Sequence, residues 1–234
     1  MCVEGFFTII MNPILKANNV FFRYDSQPKY ILQDLSFTVE KGEYVSIVGE
    51  NGCGKSTLVR LLLKLLKPTS GTIEKKVKAI GYVPQKKINI HHFPITVREL
   101  LNSYKCILKV RDGTSINEML ERIGLSGYEK KLVGQLSGGQ LQKLYIARSL
   151  IGSPDLLILD EPSTGIDVKG QKDIYAILKH LNKEKGLTII SVDHNLNAAV
   201  LNSTTIFHIK DGNGHFCNPQ KYAKEAISTD FLNL

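Results

Sequence analysis

Residues Gly49 to Thr57 read GENGCGKST and fulfil the spacing G-x-x-x-x-G-K-[ST], the pattern of a loop that cradles phosphate. Gly49, Gly52 and Gly54 can aim successive backbone N–H groups inward at phosphate oxygens, because glycine adopts backbone angles closed to other residues. Glu50, Asn51 and Cys53 fill the loop between them, Cys53 as a small neutral residue. Lys55 adds a point charge for the β- and γ-phosphates and Ser56 a hydroxyl for Mg²⁺. Thr57 leads into a helix whose positive N-terminal end faces the same anions.

A second group lies at Asp155 to Glu161, DLLILDE. Four apolar residues run into two acids, so a buried strand delivers Asp160 and Glu161 at its C-terminal edge, where ligands sit in parallel α/β sheets. Asp160 suits a Mg²⁺ held through water, and Glu161 suits orienting and polarising an attacking water. Kinases, GTPases, helicases and transport ATPases share these two groups. A third narrows the field: Leu136 to Gln140 reads LSGGQ ahead of a helical segment. Ser137 with Gly138 and Gly139 at a helix start makes another anion-binding turn. One chain holding one nucleotide has no need of two such turns. A head-to-tail pair of chains does, the second turn of one closing on the nucleotide of the other.

The elements that must position these groups follow from periodicity and punctuation. Residues 18–24, 31–39 and 43–48 read as strands, with Lys41-Gly42 a turn, and helical patterning begins at 58–66. Segments 96–108, 116–123 and 140–151 read as helices, with Gly113, Gly124 and Gly127 as breaks. Strands return at 155–159, 187–191 and 204–210, separated by helices at 169–183 and from Asn195, before the turn Asp211-Gly212-Asn213-Gly214. The ends of the chain therefore read as an α/β sheet with crossover helices, and the middle as a helical insertion.

With its motifs in this order the chain resembles the ATP-binding cassette (ABC) ATPases over nearly its whole length. The resemblance implies that Tyr24 stacks on adenine, that Gln85 in IGYVPQ touches Mg²⁺ and reports to a membrane partner, and that Ser137, Gly138, Gly139 and Gln140 form the family signature. It also implies that Asp167 in STGID lies in the loop joining two chains and that His194 in SVDHN contacts the γ-phosphate. The fold so implied is a P-loop NTPase: a RecA-like α/β core with a parallel sheet, an antiparallel β region and an inserted helical subdomain. One nucleotide-binding domain then covers 14–234, with 14–85 and 152–234 as core and 86–151 as the helical part, and 1–13 is an N-terminal extension. ATP and Mg²⁺ are the implied ligands. The implied partners are a second copy of the chain and polytopic membrane permease subunits, at the cytoplasmic face of the membrane. Leu141, Asp193 in place of serine or threonine, and the wording STGID depart from the common pattern without removing a catalytic group.

Lys75 to Leu101, KKVKAIGYVPQKKINIHHFPITVRELL, is similar to the cassettes of zinc and manganese importers. Such importers add an extracytoplasmic metal-binding protein as an indirect partner. An iron–sulfur assembly ATPase, or a cassette serving another substrate, is the alternative that the FPITV wording disfavours. Chromosome and DNA-repair ATPases place long coiled coils between the phosphate loop and the signature, and this chain has no heptad run there. His91-His92 reads as an exposed loop rather than a chelating pair.

Length and composition agree. The 234 residues allow one large domain or two small ones. A net charge of +8 suits a phosphate-bearing ligand, an anionic membrane surface or nucleic acid. The motifs make nucleic acid the least apt of these, and Lys75, Lys76, Lys78, Lys86 and Lys87 flank the Gln85 region expected to face a membrane partner. The N-terminus lacks a basic n-region, so no secretory signal is expected, and Cys2, Cys53, Cys106 and Cys217 show no paired or metal-ligand spacing, which suits a reduced compartment.

Overall fold

The computed structural model describes residues 12–25, 28–85, 94–110 and 115–224. His91, His92, Lys86, Lys87 and nearly all of the proposed N-terminal extension lie outside them. In chain order the strands are β1 (Pro13–Phe22), β2 (Leu32–Glu40), β3 (Tyr44–Val48), β4 (Ser70–Lys75), β5 (Ile80–Val83), β6 (Leu156–Asp160), β7 (Thr188–Val192), β8 (Thr205–Lys210) and β9 (Asn213–Cys217). The helices are α1 (Lys55–Leu62), α2 (Val97–Ile107), α3 (Ile116–Arg122), α4 (Gly138–Ser149), α5 (Val168–Lys185) and α6 (Leu196–Asn202).

Two sheets result. A three-stranded antiparallel sheet has the order β2-β1-β4, and a six-stranded sheet has the order β5-β6-β7-β3-β8-β9. In the larger sheet every neighbouring pair is parallel except the β8–β9 hairpin. β3, β6 and β7 are buried at every position, as strands covered on both faces must be, which is why their apolar runs do not alternate with polar residues. Side chains of β6 alternate between two cores. Leu157 and Leu159 join the cluster formed with α2, α3, α4 and α5, while Leu156 and Ile158 join the cluster formed with α1 and the antiparallel sheet. α2, α3 and α4 fall between β5 and β6, and their apolar faces share one continuous core with the sheet.

Most elements lie close to their expected bounds. Three strands, β4, β5 and β9, are not among those expected, β9 starting inside the stretch read as a turn at 211–214, and β1 starts early. β4 is a largely exposed strand, SGTIEK, whose polar composition hides it although it pairs with β1 from Leu15↔Lys75 to Phe21↔Ser70. β1 begins earlier than residue 18 and inside the stretch assigned to an extension. Pro13 pairs with Glu40, and the Lys41 N–H donates to the Asn12 carbonyl at 3.2 Å, so residues 12–13 belong to the sheet.

The end of α5 is tied to the sheet by one side chain. Asn182, 7% exposed, donates from Nδ2 to the carbonyls of Gly42 (2.8 Å) and Leu187 (2.9 Å). Asn182→Ala leaves both carbonyls without this donor in a water-poor site, at a cost of about 1–3 kcal/mol. A fall in melting temperature of roughly 3–10 °C, measured by calorimetry, is expected for a chain of this size.

Candidate functional site

The strand order assembles the site. β5, β6, β7 and β3 are adjacent and parallel, and their registers end together at Val83↔Leu159, Asp160↔Val192 and Ile47↔Val192. Gln85, Glu161, His194 and the loop from Gly49 therefore emerge side by side at the C-terminal edge of the sheet, the place where such sheets bind ligands. A cavity of about 250 Å³ opens there, lined by Asn51, Gly52, Gly54, Lys55, Ser56, Thr57, Gln85, Glu161 and His194 together with Ile31.

The phosphate loop depends on glycine at two points. Gly49 has φ +149°, and a Cβ there would stand 2.2 Å from the Ile209 carbonyl oxygen; Gly54 has φ +107°, and a Cβ would stand 2.6 Å from Leu32. Gly54 caps α1 without a side-chain bond to the helix N–H groups, so they face the loop, where an anion suits them. Lys55 is 5% exposed, and its Nζ donates to the carbonyls of Gly49 and Glu50, both at 2.8 Å. The ammonium is thus held inside the loop that would enclose a phosphate. Cys53 is half-buried in the same turn, its N–H donating to Glu50 O at 3.3 Å.

Asp160 is 6% exposed, and its Oδ1 is buried with no hydrogen-bond partner. Burial pushes this carboxyl up, the neighbouring Glu161 charge adds to that, and Arg60, His194 and Lys55 pull against it. Ser56 and Gln85 line the cavity, and Asp160, adjoining the lining residue Glu161 at the end of β6, keeps a buried carboxylate oxygen with no donor behind it. These are the oxygen ligands that a hard divalent cation such as Mg²⁺ takes, directly or through water. The residues present fit that ion.

Glu161 follows β6 with φ +53°, a left-handed backbone that a non-glycine residue holds only when its surroundings fix it. Its N–H donates to Val192 O at 3.0 Å. One carboxylate oxygen lies 2.6 Å from His194 Nε2, and the other accepts from Thr164 Oγ1 at 3.0 Å. Burial raises the Glu161 carboxyl, but the bonds from His194, Gln85 and Thr164 outweigh it and hold the group below its ordinary value.

The other expected residues sit elsewhere. Tyr24 does not line this cavity; its ring packs edge-on to Phe22 with centroids 4.9 Å apart, and its hydroxyl accepts from Arg60 at 3.3 Å. Ser137 caps α4, its Oγ accepting from Gln140 N at 3.3 Å while Gln140 Oε1 accepts from Ser137 N at 3.1 Å. This signature turn lies away from the cavity of its own chain and against the loop before α5. A Cβ on Gly138 would meet Gly165 O at 3.7 Å, and one on Gly139 would meet Ile166 at 3.6 Å. Asp167 caps α5 through Gly170 N at 3.2 Å. Lys75 does not belong to an open basic face as expected. It is half-buried and donates to the Leu62 carbonyl at the end of α1, satisfying a group that the helix leaves over.

Sequence reasoning missed a buried polar group behind the site. Asp193 is 2% exposed and accepts from Ser46 Oγ at 2.9 Å and Tyr175 OH at 2.8 Å; Tyr175 OH also lies 3.1 Å from Ser163 Oγ. The signal was present only as an unusual acid before His194. Its partners are far apart in the chain and carried no mark of their own.

The fold and the loop define a P-loop nucleotide-binding domain. The description "ABC transporter" matches residues 32–164, and the chain belongs to that family. A probable metal transport system ATP-binding protein of Treponema pallidum (strain Nichols) is 57% identical over 209 residues, covering 89% of this chain and 88% of that one. The zinc uptake system ATP-binding protein ZurA of Listeria innocua is 38% identical over 216 residues, covering 85% and 82%. Among solved structures, cbiO1 from Clostridium perfringens, part of the ABC transporter complex cbiONQ, is similar with a TM-score of 0.78 and 28% identity over 95% of this chain and 96% of that one. The ATP-binding cassette MJ0796, dimeric and bound to ADP and Pi, is similar with a TM-score of 0.70 and 28% identity, over 88% and 98%.

Because His194 offsets the burial of Glu161, its removal has a definite sign. In His194→Ala the Glu161 carboxyl titrates at higher pH than in the parent, read by NMR of side-chain carboxyl carbons. In the parent the depressed value stabilises the fold above the unfolded glutamate pKa of about 4.3, a contribution lost as pH falls through the folded value. An unchanged titration in the variant contradicts the pairing.

Proposed function

We propose that the chain is the ATP-binding and ATP-hydrolysing subunit of an ABC transporter that imports a divalent metal ion, zinc or manganese. The observation that carries the catalytic part is the meeting of Lys55, Glu161, His194 and Gln85 on one cavity at the sheet edge. The cargo rests on relatives described as metal transport and zinc uptake ATP-binding proteins. Among the described residues no helix is long and apolar enough to cross a membrane. In this reading the subunit works against permease subunits at the cytoplasmic face, as the likeness to cbiO1, part of the ABC transporter complex cbiONQ, supports, with an extracytoplasmic metal-binding protein acting at a distance and no part for nucleic acid.

Two copies stand head to tail with ATP between them. The N–H groups of the loop and of α1 receive the phosphates, and Lys55 turns its donors from the Gly49 and Glu50 carbonyls to the β- and γ-phosphates. Tyr24 stacks on the adenine. Ser137, Gly138 and Gly139 of the second copy close on the γ-phosphate, with Gln140 bracing the turn, and Asp167 meets the opposite chain. Ser56, Gln85 and Asp160 would hold Mg²⁺, which supplies charge neutralisation across the transferred phosphoryl group. Glu161 orients a water for in-line attack and accepts its proton as the new O–P bond forms and the bond to the β-phosphate oxygen breaks. His194 steadies the same carboxylate and contacts the γ-phosphate. Hydrolysis then loosens the pair, and residues 86–151, as a helical unit on the 14–85 and 152–234 core, pass the change to the permease.

Glu161→Gln keeps ATP binding, loses at least about 100-fold in turnover and accumulates an ATP-bound dimer on size-exclusion chromatography. Turnover near that of the parent sinks the role of Glu161. Ser137→Arg binds ATP as a monomer and does not dimerise. For the cargo, the complex purified from membranes and reconstituted with its binding protein has its ATPase stimulated by zinc or manganese, and equal stimulation without either ion rejects metal import.

A further inference from the structure

We infer that Asp193, Tyr175 and Ser163 form a positioning chain that ties His194 to the loop facing the second copy. The inference rests on the dimeric ATPase reading above. Asp193 lies at the end of β7, immediately before His194, and its N–H donates to Ile47 O at 3.1 Å, fixing the backbone where the histidine leaves the sheet. Its carboxylate is buried and accepts two hydroxyls, Ser46 from β3 and Tyr175 from α5. Tyr175, 5% exposed, spends the same hydroxyl on Ser163. Ser163 stands two residues after Glu161, in the loop that ends at Asp167, the N-cap of the helix carrying Tyr175. Gln171 holds the same loop at two further points, donating to Ser163 O at 3.3 Å and Ile166 O at 2.9 Å.

Burying a carboxylate is costly unless it is well hydrogen-bonded. Serine or threonine at position 193 would avoid that cost, yet here an acid spans from the strand to the Tyr175 hydroxyl. The geometry gives it a use. The segment carrying Glu161 is gripped from one side by His194 and from the other by Tyr175, and both grips meet at residues 193–194. When His194 engages a γ-phosphate, the strain passes through Asp193 and Tyr175 to Ser163, and so to the stretch Gly165–Asp167 against which the signature turn packs. Dimer closure becomes sensitive to whether the nucleotide carries a γ-phosphate. Asp193 and Tyr175 act through their neighbours and touch neither substrate nor water.

The test uses the full chain in the Glu161→Gln background. Tyr175→Phe keeps the ring and deletes the shared hydroxyl. Ser163→Ala deletes only the outer end of the chain and leaves the buried Asp193–Tyr175 bond intact, so it keeps the fold. Monomer affinity is read with a fluorescent ATP analogue at low protein concentration, closure by light scattering against ATP concentration, and stability by thermal unfolding. Both variants are expected to raise the ATP concentration for half-maximal dimerisation about tenfold, the worth of one hydrogen bond, with monomer affinity within twofold of the background. Asp193→Ser combined with Tyr175→Phe is expected to shift it no further than either alone. Dimerisation within twofold of the background in both Tyr175→Phe and Ser163→Ala overturns the inference alone, as does a loss of monomer affinity in step with melting temperature. Failure of the Glu161→Gln background itself to dimerise with ATP overturns the reading beneath it, and the inference with it.

Discussion

The parallel register of β5, β6, β7 and β3 is the constraint on which the rest of the molecule depends. Each strand contributes one group to the site, and none of those groups is near another in the chain: Lys55, Gln85, Glu161 and His194 span 139 positions, from 55 to 194. They meet because the four strands end level. A slip of one residue in β6 would turn Leu157 and Leu159 toward the wrong core and carry Glu161 away from His194. The two hydrophobic clusters on either face of the sheet therefore hold the register, and the register holds the chemistry. Stability and catalysis are in this sense set by the same apolar residues.

On that frame the polar groups are arranged at some cost. Asp160 leaves a buried oxygen without a donor, Glu161 holds a left-handed backbone, and Asp193 is a buried acid. Each is unfavourable in isolation, by about 1–3 kcal/mol for the backbone conformation alone. They occur within four residues of the ends of two adjacent strands, and two well-packed cores flank them. Local disfavour gathered at one edge of an otherwise consistent fold is the usual mark of a working site.

How much could be read beforehand follows from how each feature is encoded. The phosphate loop and the LLILDE strand end are contiguous and chemically specific, so their residue types disclosed where they lie in the fold. The buried strands β3, β6 and β7 stood out as short apolar runs. β4 did not, because an exposed edge strand of Ser, Gly, Thr, Glu and Lys carries no periodic apolar signal and exists by pairing with β1. Lys75 looked like a surface cation until tertiary packing placed it on the end of α1. The Ser46–Asp193–Tyr175–Ser163 group was invisible for the same reason: hydroxyls from β3, α5 and a loop acquire meaning only when folding brings them to one carboxylate.

The position of the signature turn completes the argument for a paired molecule. Ser137 points its side chain back to cap its own helix, the usual structural use of serine, and the turn lies against Gly165 and Ile166 rather than over the cavity of its own chain. A single copy thus carries a phosphate loop beside the Glu161 carboxylate, and separately an exposed glycine-rich turn that lies outside that cavity. The turn and the Asp167 loop touch each other, so whatever meets one meets both. If that partner is the nucleotide edge of a second copy, each site takes its γ-phosphate donors from both chains, Lys55 and His194 of one and the Ser137 turn of the other. The surface beside Asp167 is then where loss of a phosphate in one copy is first felt by its neighbour.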